Sequence, residues 1–222
     1  GKIVLKNLTE EELKDFLVSI GEKKFRGSQI YSWLYRNIRD FDEMNNIPKS
    51  LRAKLEEHVI IGNIEKDLRL DSKIDGNIIE TVAMDYDTRL TLCVSNQVGC
   101  RMGCRFCAST IDGLSRNLEA WEILDQIIKV QEDLGKRVSN IVMMGSGEPL
   151  DNYENSIRFL KLVNEENGLN IGNRHITLST CGIVDRIRDL ADLEIPINLA
   201  ISLHSPFDEE RQKIMPVANK YK

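Results

Sequence analysis

The chain has no apolar run near the roughly 18 residues that a membrane-crossing helix needs, and nothing in it reads as a span. Its start, Gly1-Lys2-Ile3-Val4, shows no sequence of charge, apolar stretch and small-residue cleavage site such as a secretion signal carries. Together these absences set the expectation of a cytoplasmic protein with no membrane partner. There is no excess of positive charge either, because the net charge is −5. That excludes a strongly basic protein that coats nucleic acid. It leaves room for an enzyme that meets RNA through a local patch, since net charge averages over all faces. Lys23, Lys24 and Arg26 form one candidate patch, and Arg101, Arg105 and Arg116 another. From charge alone, both read more readily as solvated faces. Internal repeats and low-complexity tracts are absent as well.

What is present is ordinary in bulk and unusual in one place. Hydrophobic residues make up 41% and charged residues 29% of 222 positions, the composition of a chain that buries a real core. The five cysteines are unevenly spread: Cys93, Cys100, Cys104 and Cys107 crowd together while Cys181 stands apart. An odd count, tight clustering and no secretion signal disfavour a disulfide framework and favour metal binding or thiol chemistry.

Residues 1–62 read as a small helical domain. Thr9-Glu10-Glu11-Glu12 is a capping-box pattern. It leads into the stripe Leu13, Phe16, Leu17 and Ile20, which Gly21 stops. A second stripe is Ile30, Trp33, Leu34 and Ile38, and Pro48 opens a third helix with Leu51, Leu55 and Val59 inward, ended by Gly62. Residues 63–88 read as a β-hairpin connector, with strands at 64–70 and 78–86 and turn chemistry in Asp75-Gly76 and Asp85-Tyr86-Asp87. From residue 89 to 222 short apolar strands at 90–95, 141–144, 175–180 and 197–202 alternate with helices near 119–135, 153–167 and 184–193. Alternation of this kind predicts an α/β fold with a parallel sheet of about four strands, a partial (β/α) barrel. The chain ends soon after the fourth strand and begins without Met, so it reads as a fragment, with a small four-stranded domain as the alternative.

The strongest chemical signal is Cys100-Arg-Met-Gly-Cys104-Arg-Phe-Cys107. Three thiolates on one tight loop can hold three irons of a cubane and leave the fourth iron open to a substrate. The competing reading is zinc held by four thiols with Cys93 included. Against it, Cys93 lies in the strand rather than on the loop, and zinc sites favour two separated CxxC pairs where this sequence has one. The second signal is Met144-Gly145-Ser146-Gly147-Glu148-Pro149, directly after a strand. Ligands of parallel sheets sit at the C-terminal ends of strands. Glycines let the backbone approach a small molecule, and Glu148 can accept hydrogen bonds from an ammonium group.

With those residues in hand, the chain resembles the radical S-adenosylmethionine (SAM) family. More narrowly, Thr91-Leu-Cys-Val-Ser-Asn-Gln-Val-Gly-Cys100, Met144-Gly-Ser-Gly-Glu-Pro-Leu150 and Ile201-Ser-Leu-His-Ser-Pro206 resemble its RlmN type, the 23S rRNA adenine methyltransferases. Ser146 and Cys181 depart from the residues frequent there, and family members continue for another 100 or so residues. The resemblance implies a radical-SAM barrel, a [4Fe–4S] cluster on Cys100, Cys104 and Cys107, and SAM on its open iron. Gly147 and Glu148 would line the methionine end; Ser179, Ser202, Leu203 and His204 would contact the rest of SAM. Cys93 would be a second catalytic thiol that resolves a protein–RNA intermediate, and Glu80 a proton acceptor.

The resemblance further implies methylation of carbon 2 of an adenine in 23S rRNA, and in tRNA, through a methylated cysteine beyond Lys222. Carbon 2 is electrophilic and cannot attack the methyl group of SAM, so a radical route is required, with the cofactor carrying the hard chemistry. A splayed base in an RNA loop suits such a target. An electron donor such as reduced flavodoxin or ferredoxin and a monomeric enzyme are implied too. Two other readings remain at this point: a Cfr-type enzyme acting at carbon 8, and a non-catalytic zinc-binding RNA-interaction module.

Overall fold

The computed structural model describes residues 1–65 and 79–221. The expected turn at Asp75-Gly76 and nearly all of the expected strand 64–70 lie outside the described residues. Ile64 and Glu65 belong to no strand. The chain forms two compact units. One comprises Gly1–Lys66, Glu119–Lys136 and Arg158–Ile171; the other comprises Asp67–Leu118, Arg137–Ile157 and Gly172–Lys222, each taken over its described residues.

The first unit is helical. Strand β1 (Ile3–Val4) precedes helices α1 (Glu10–Ser19), α2 (Arg26–Leu34) and α3 (Lys49–His58), and β2 (Val59–Ile60) pairs in parallel with β1. Helix α1 starts where the sequence asks for it: Thr9 Oγ1 accepts from the Glu12 amide while Glu12 Oε2 accepts from the Thr9 amide at 2.8 Å. Both satisfy amides that the first helical turn leaves unpaired. Leu13, Leu17, Ile30, Leu34, Leu51 and Leu55 are buried in one core, with Phe16, Ile20 and Trp33 packed at its margin. Helix α3 ends at His58 rather than running to Gly62, because Val59 and Ile60 are taken up by pairing with β1. Helix α4 (Ala120–Leu134) and the second half of α5 (Tyr153–Asn164) belong to this unit as well. On α4, Ile123 and Ile127 are buried, whereas Leu134 is exposed. In the interior Lys6 Nζ meets Asp125 Oδ1 at 2.5 Å with both side chains fully buried. Asn63 Oδ1 accepts from the same ammonium, and Asp125 Oδ2 accepts from the Ile64 amide.

The second unit is built on a five-stranded sheet in the order β3 (Val82–Tyr86), β4 (Arg89–Cys93), β7 (Asn140–Met143), β8 (Ile176–Thr180), β9 (Asn198–Ile201). The last four strands pair in parallel, and β3 is an antiparallel edge. Their inward residues alternate: Leu90 and Leu92, Ile141 and Met143, Ile176 and Leu178 are all fully buried, the period-two pattern of a strand. Tyr86 pairs with Arg89, so the turn is Asp87-Thr88 rather than the Asp85-Tyr86-Asp87 expected. Helices α6 (Val184–Asp192) and α7 (Asp208–Ile214) follow β8 and β9. Between β4 and α4 the chain also forms a hairpin of β5 (Gln97–Gly99) and β6 (Leu114–Asn117). The sequence reading missed it.

Candidate active site

All residues of the site belong to the sheet-bearing unit. The hairpin β5–β6 closes the base of the cysteine loop, where the Cys100 amide donates to Gly113 O at 3.0 Å. Gly99 sits at φ +74°, and a Cβ there would fall 1.9 Å from Gly113 O, so only glycine permits the closure. Within the loop the Cys107 amide donates to Cys104 O at 3.0 Å, and Thr110 Oγ1 donates to Cys107 O at 3.0 Å. The loop is fastened to the end of α7 by the Arg105 amide, which donates to Ile214 O at 2.9 Å. Cys104, Cys181 and Met215 pack together as a small buried cluster.

Burial pushes the Cys100 thiol up to about 11; a hydrogen bond with the Met102 backbone works against the shift and the negative charge of Glu148 adds to it. Burial likewise raises Cys104, with Cys107 and Glu148 adding and Arg211 opposing. Without metal these thiols are protonated at neutral pH, so a metal that takes them as thiolates displaces their protons.

The second wall is the loop after β7. Its backbone is bound to the segment that follows β4. Ser95 Oγ accepts from the Ser146 amide at 2.9 Å, Ser146 O accepts from the Asn96 and Gln97 amides, and Gln97 Oε1 accepts from the Glu148 amide at 2.8 Å. Gly147 has φ +104°, and a Cβ there would lie 2.5 Å from Gln97 Cβ and 2.8 Å from Asn96 Oδ1. The buried side-chain carboxamide of Asn96 beside it has no hydrogen-bond partner on either Oδ1 or Nδ2. Glu148 is buried, and its two carboxylate oxygens accept from the amides of Leu150 at 3.1 Å and Cys181 at 2.8 Å. A carboxylate has about four lone-pair sites, so capacity remains for a cationic ligand. Arg211, also buried, donates to Cys181 O at 2.5 Å and reaches Leu203 O and Ser202 O, which ties α7 to the ends of β8 and β9.

These walls enclose a cavity of about 320 Å³ lined by Cys100, Cys104 and Cys107 on one side and Gly147, Glu148, Ser179 and Ser202 on the other. That volume falls in the range of roughly 300–1,000 Å³ usual for small-molecule sites. Among the described residues, no three His, Cys, Asp or Glu side chains converge as they would on a single ion. Three thiols that line one cavity fit a polynuclear cluster, for which soft thiolates are the usual ligands.

Comparison with known proteins agrees with this geometry. Residues 3–61 match the family model of the ribosomal RNA large subunit methyltransferase N-terminal domain, and residues 94–221 match that of the radical SAM superfamily. The chain belongs to the radical SAM superfamily, within its RlmN-type methyltransferases. It is 70% identical to a probable dual-specificity RNA methyltransferase RlmN of Clostridioides difficile and 58% identical to one of Alkaliphilus oremlandii; each match covers 99% of this chain and 67% of the relative. A radical SAM methyltransferase from Sphaerobacter thermophilus superposes with a TM-score of 0.90 at 39% identity, over 99% of this chain and 69% of that one. The chain thus spans about two thirds of the length of the curated relatives it matches.

Within this RlmN-type chain, seven of the sequence-predicted residues come together around the cavity: the three loop cysteines, Gly147, Glu148, Ser179 and Ser202. Leu203 and His204 do not line it. Leu203 is 52% exposed, and His204, at φ +58°, rests its ring against Phe106 of the cysteine loop, with centroids 4.1 Å apart and the planes tilted by 44°. Cys93 and Glu80 also lie outside the lining. Burial raises the Cys93 thiol above its ordinary value, a hydrogen bond with the Met144 backbone opposes the shift, and the charge of Glu80 adds to it. The sequence reading missed Cys181 and Met215 as cavity residues and Arg211 as the tie between strand ends. Cys181 was visible only as a departure from the family pattern, and a single arginine on a short helix carries no signal of its partners.

Proposed function

We propose that this chain is the cluster- and SAM-binding part of a methyltransferase that acts on carbon 2 of an adenine in large-subunit ribosomal RNA, and on tRNA. The observation that carries the reading is that three loop thiols and the Gly147-Glu148 turn face one cavity. Cys100, Cys104 and Cys107 would hold an iron–sulfur cluster. Gly147 presents backbone, and Glu148 presents a buried negative charge, to the ammonium end of SAM. Ser179 and Ser202, at the ends of β8 and β9, offer hydroxyls to the rest of that ligand. The cluster and SAM, when bound, supply a carbon-centred radical able to attack an electrophilic ring carbon.

Cys93 and Glu80 both lie outside the cavity lining, which suits a thiol and a base that act on the RNA adduct rather than on the cluster. Leu203 and His204 lie outside the cavity lining, and the His204 ring rests against Phe106, which belongs to that lining. A reduced flavodoxin or ferredoxin is the class of donor that such a cluster requires, and the enzyme would act as a monomer. Among the described residues, no helix is long and apolar enough to cross a membrane. The match to the RlmN N-terminal family favours carbon 2 over the Cfr-type carbon 8 reaction, and the radical SAM match leaves a zinc-binding module unsupported.

The test is anaerobic reconstitution of residues 1–222 and of the full-length protein with iron and sulfide. Iron content, reductive SAM cleavage and methyl transfer to a 23S rRNA fragment are then measured. Both proteins should bind iron, and only the full-length protein should methylate RNA. Failure of both to bind iron, or methylation at carbon 8, would overturn the reading.

A further inference from the structure

The two walls of the cavity are joined by a chain of polar contacts that no step of the chemistry above uses. Arg101 directly follows Cys100. Its guanidinium holds Asp151 in a fork: Nη2 donates to Oδ1 at 2.6 Å, and Nε donates to Oδ2 at 2.9 Å. Asp151 Oδ2 also accepts from Gln97 Nε2 at 2.9 Å. Gln97 is fully buried and its side-chain amide is engaged at both ends: Nε2 donates to Asn117 Oδ1 at 2.8 Å as well, and Oε1 accepts from the Glu148 amide at 2.8 Å. Asp151 closes the circuit locally, because its own amide donates to Glu148 O at 3.0 Å. The link therefore runs from the residue beside a cluster ligand, across a sequence separation of 50, to both backbone polar groups of Glu148.

Its two halves differ in environment. The Arg101 side chain is 63% exposed, and that of Asp151 only 10%. An exposed ion pair contributes little to folding by itself. A bidentate guanidinium–carboxylate pair nevertheless fixes direction as well as distance. Gln97, by contrast, is held from three sides, so its orientation is set only while Asp151 and Asn117 both accept from it. If Asp151 loses its carboxylate, Gln97 keeps only its bonds to Asn117 and to the Glu148 amide, and the acceptor that positions the Glu148 amide is held less firmly.

We propose that Arg101, Asp151 and Gln97 are positioning residues that couple the order of the cysteine loop to the placement of the Gly147-Glu148 turn. SAM affinity then depends on whether the cluster loop is in place. None of the three touches the cavity: their action is through Glu148. The inference rests on the reading of the cavity as a SAM site.

The experiment uses the full-length reconstituted protein. Arg101→Ala, Asp151→Asn and the double variant are compared with wild type in iron content and in SAM dissociation constant, the latter read from the perturbation of the reduced cluster's electron paramagnetic resonance signal. Iron content should be unchanged in all three. Arg101→Ala should weaken SAM binding by roughly two- to fivefold and Asp151→Asn by roughly tenfold. The double variant should be no worse than Asp151→Asn alone, because the two residues act in series. High salt should weaken SAM binding to wild type but leave Asp151→Asn unmoved. Additive losses, or unchanged affinity in Asp151→Asn, would overturn the coupling while leaving the site assignment standing. Iron lost in step with affinity would make the pair a plain brace of the loop and also overturn it. A wild-type protein with iron but no response to SAM would instead defeat the reading of the cavity.

Discussion

Glu148 Oε2 accepts the backbone amide of Cys181 at 2.8 Å, so a carboxylate from the loop after β7 is held against the end of β8. Its other oxygen takes the Leu150 amide. Glu148→Ala would strand two amides, each at a cost of about 1–3 kcal/mol where water does not replace the acceptor. Glu148→Gln keeps one carbonyl oxygen and should lose markedly less. Urea denaturation of the metal-free protein checks the order; equal midpoints for wild type and the alanine variant would show that the carboxylate does not hold the two strands together.

The thiols divide into two groups. Cys100, Cys104 and Cys107 of the loop line the cavity together with Cys181 after β8, and Cys93 does not. Cys100→Ala should abolish cluster assembly, whereas Cys93→Ala should retain nearly full iron content and SAM cleavage. In the full-length enzyme, Cys93→Ala should accumulate protein bound covalently to RNA. Iron quantitation beside a denaturing gel distinguishes the outcomes, and equal iron loss in both variants would make Cys93 a ligand.

In the helical unit the side chains of the paired Lys6 and Asp125 are both fully buried. Lys6→Met should destabilise by about 3–5 kcal/mol, because it leaves a buried carboxylate uncompensated. Adding Asp125→Asn should recover most of that loss, since asparagine still offers an acceptor to the Ile64 amide. The comparison is of denaturation midpoints for the single and double variants.

Burial opposes the ionisation of Glu10, but hydrogen bonds from Ser28, Asn167 and Lys14 outweigh it and hold the carboxyl below its ordinary value of 4.5. A carboxyl depressed in the folded state binds fewer protons there than in the unfolded chain. Its stabilisation is therefore complete above about 4.5 and fades as pH falls through the folded value. Denaturation midpoints between pH 6 and pH 3.5 should fall less steeply in Glu10→Gln than in wild type.

What could be read from the sequence was what is encoded locally or by period. The Thr9–Glu12 cap lies within four residues, and the buried alternations Leu90/Leu92 and Ile176/Leu178 are period-two patterns. The three loop cysteines announce themselves by spacing. The hairpin β5–β6 was illegible because its strands are short and β6 carries exposed Ser115, Arg116 and Asn117 in place of an alternating face. Arg211 and the Arg101–Asp151 pair were hidden for another reason. Their partners are carbonyls and carboxylates brought near only by the sheet, and no local pattern records a contact made at long separation.

The close approach of Gly99 to Gly113 O bears on how genetic data for this protein should be read. A screen for colourless, iron-free variants would recover the three cysteines, and it would recover Gly99 beside them. No substitution at Gly99 removes a ligand. Any side chain there forces the two feet of the loop apart, and the thiols lose the frame that presents them together. A loss-of-cluster phenotype at this position would thus be a lesion of the backbone, indistinguishable by colour from a lesion of the metal chemistry.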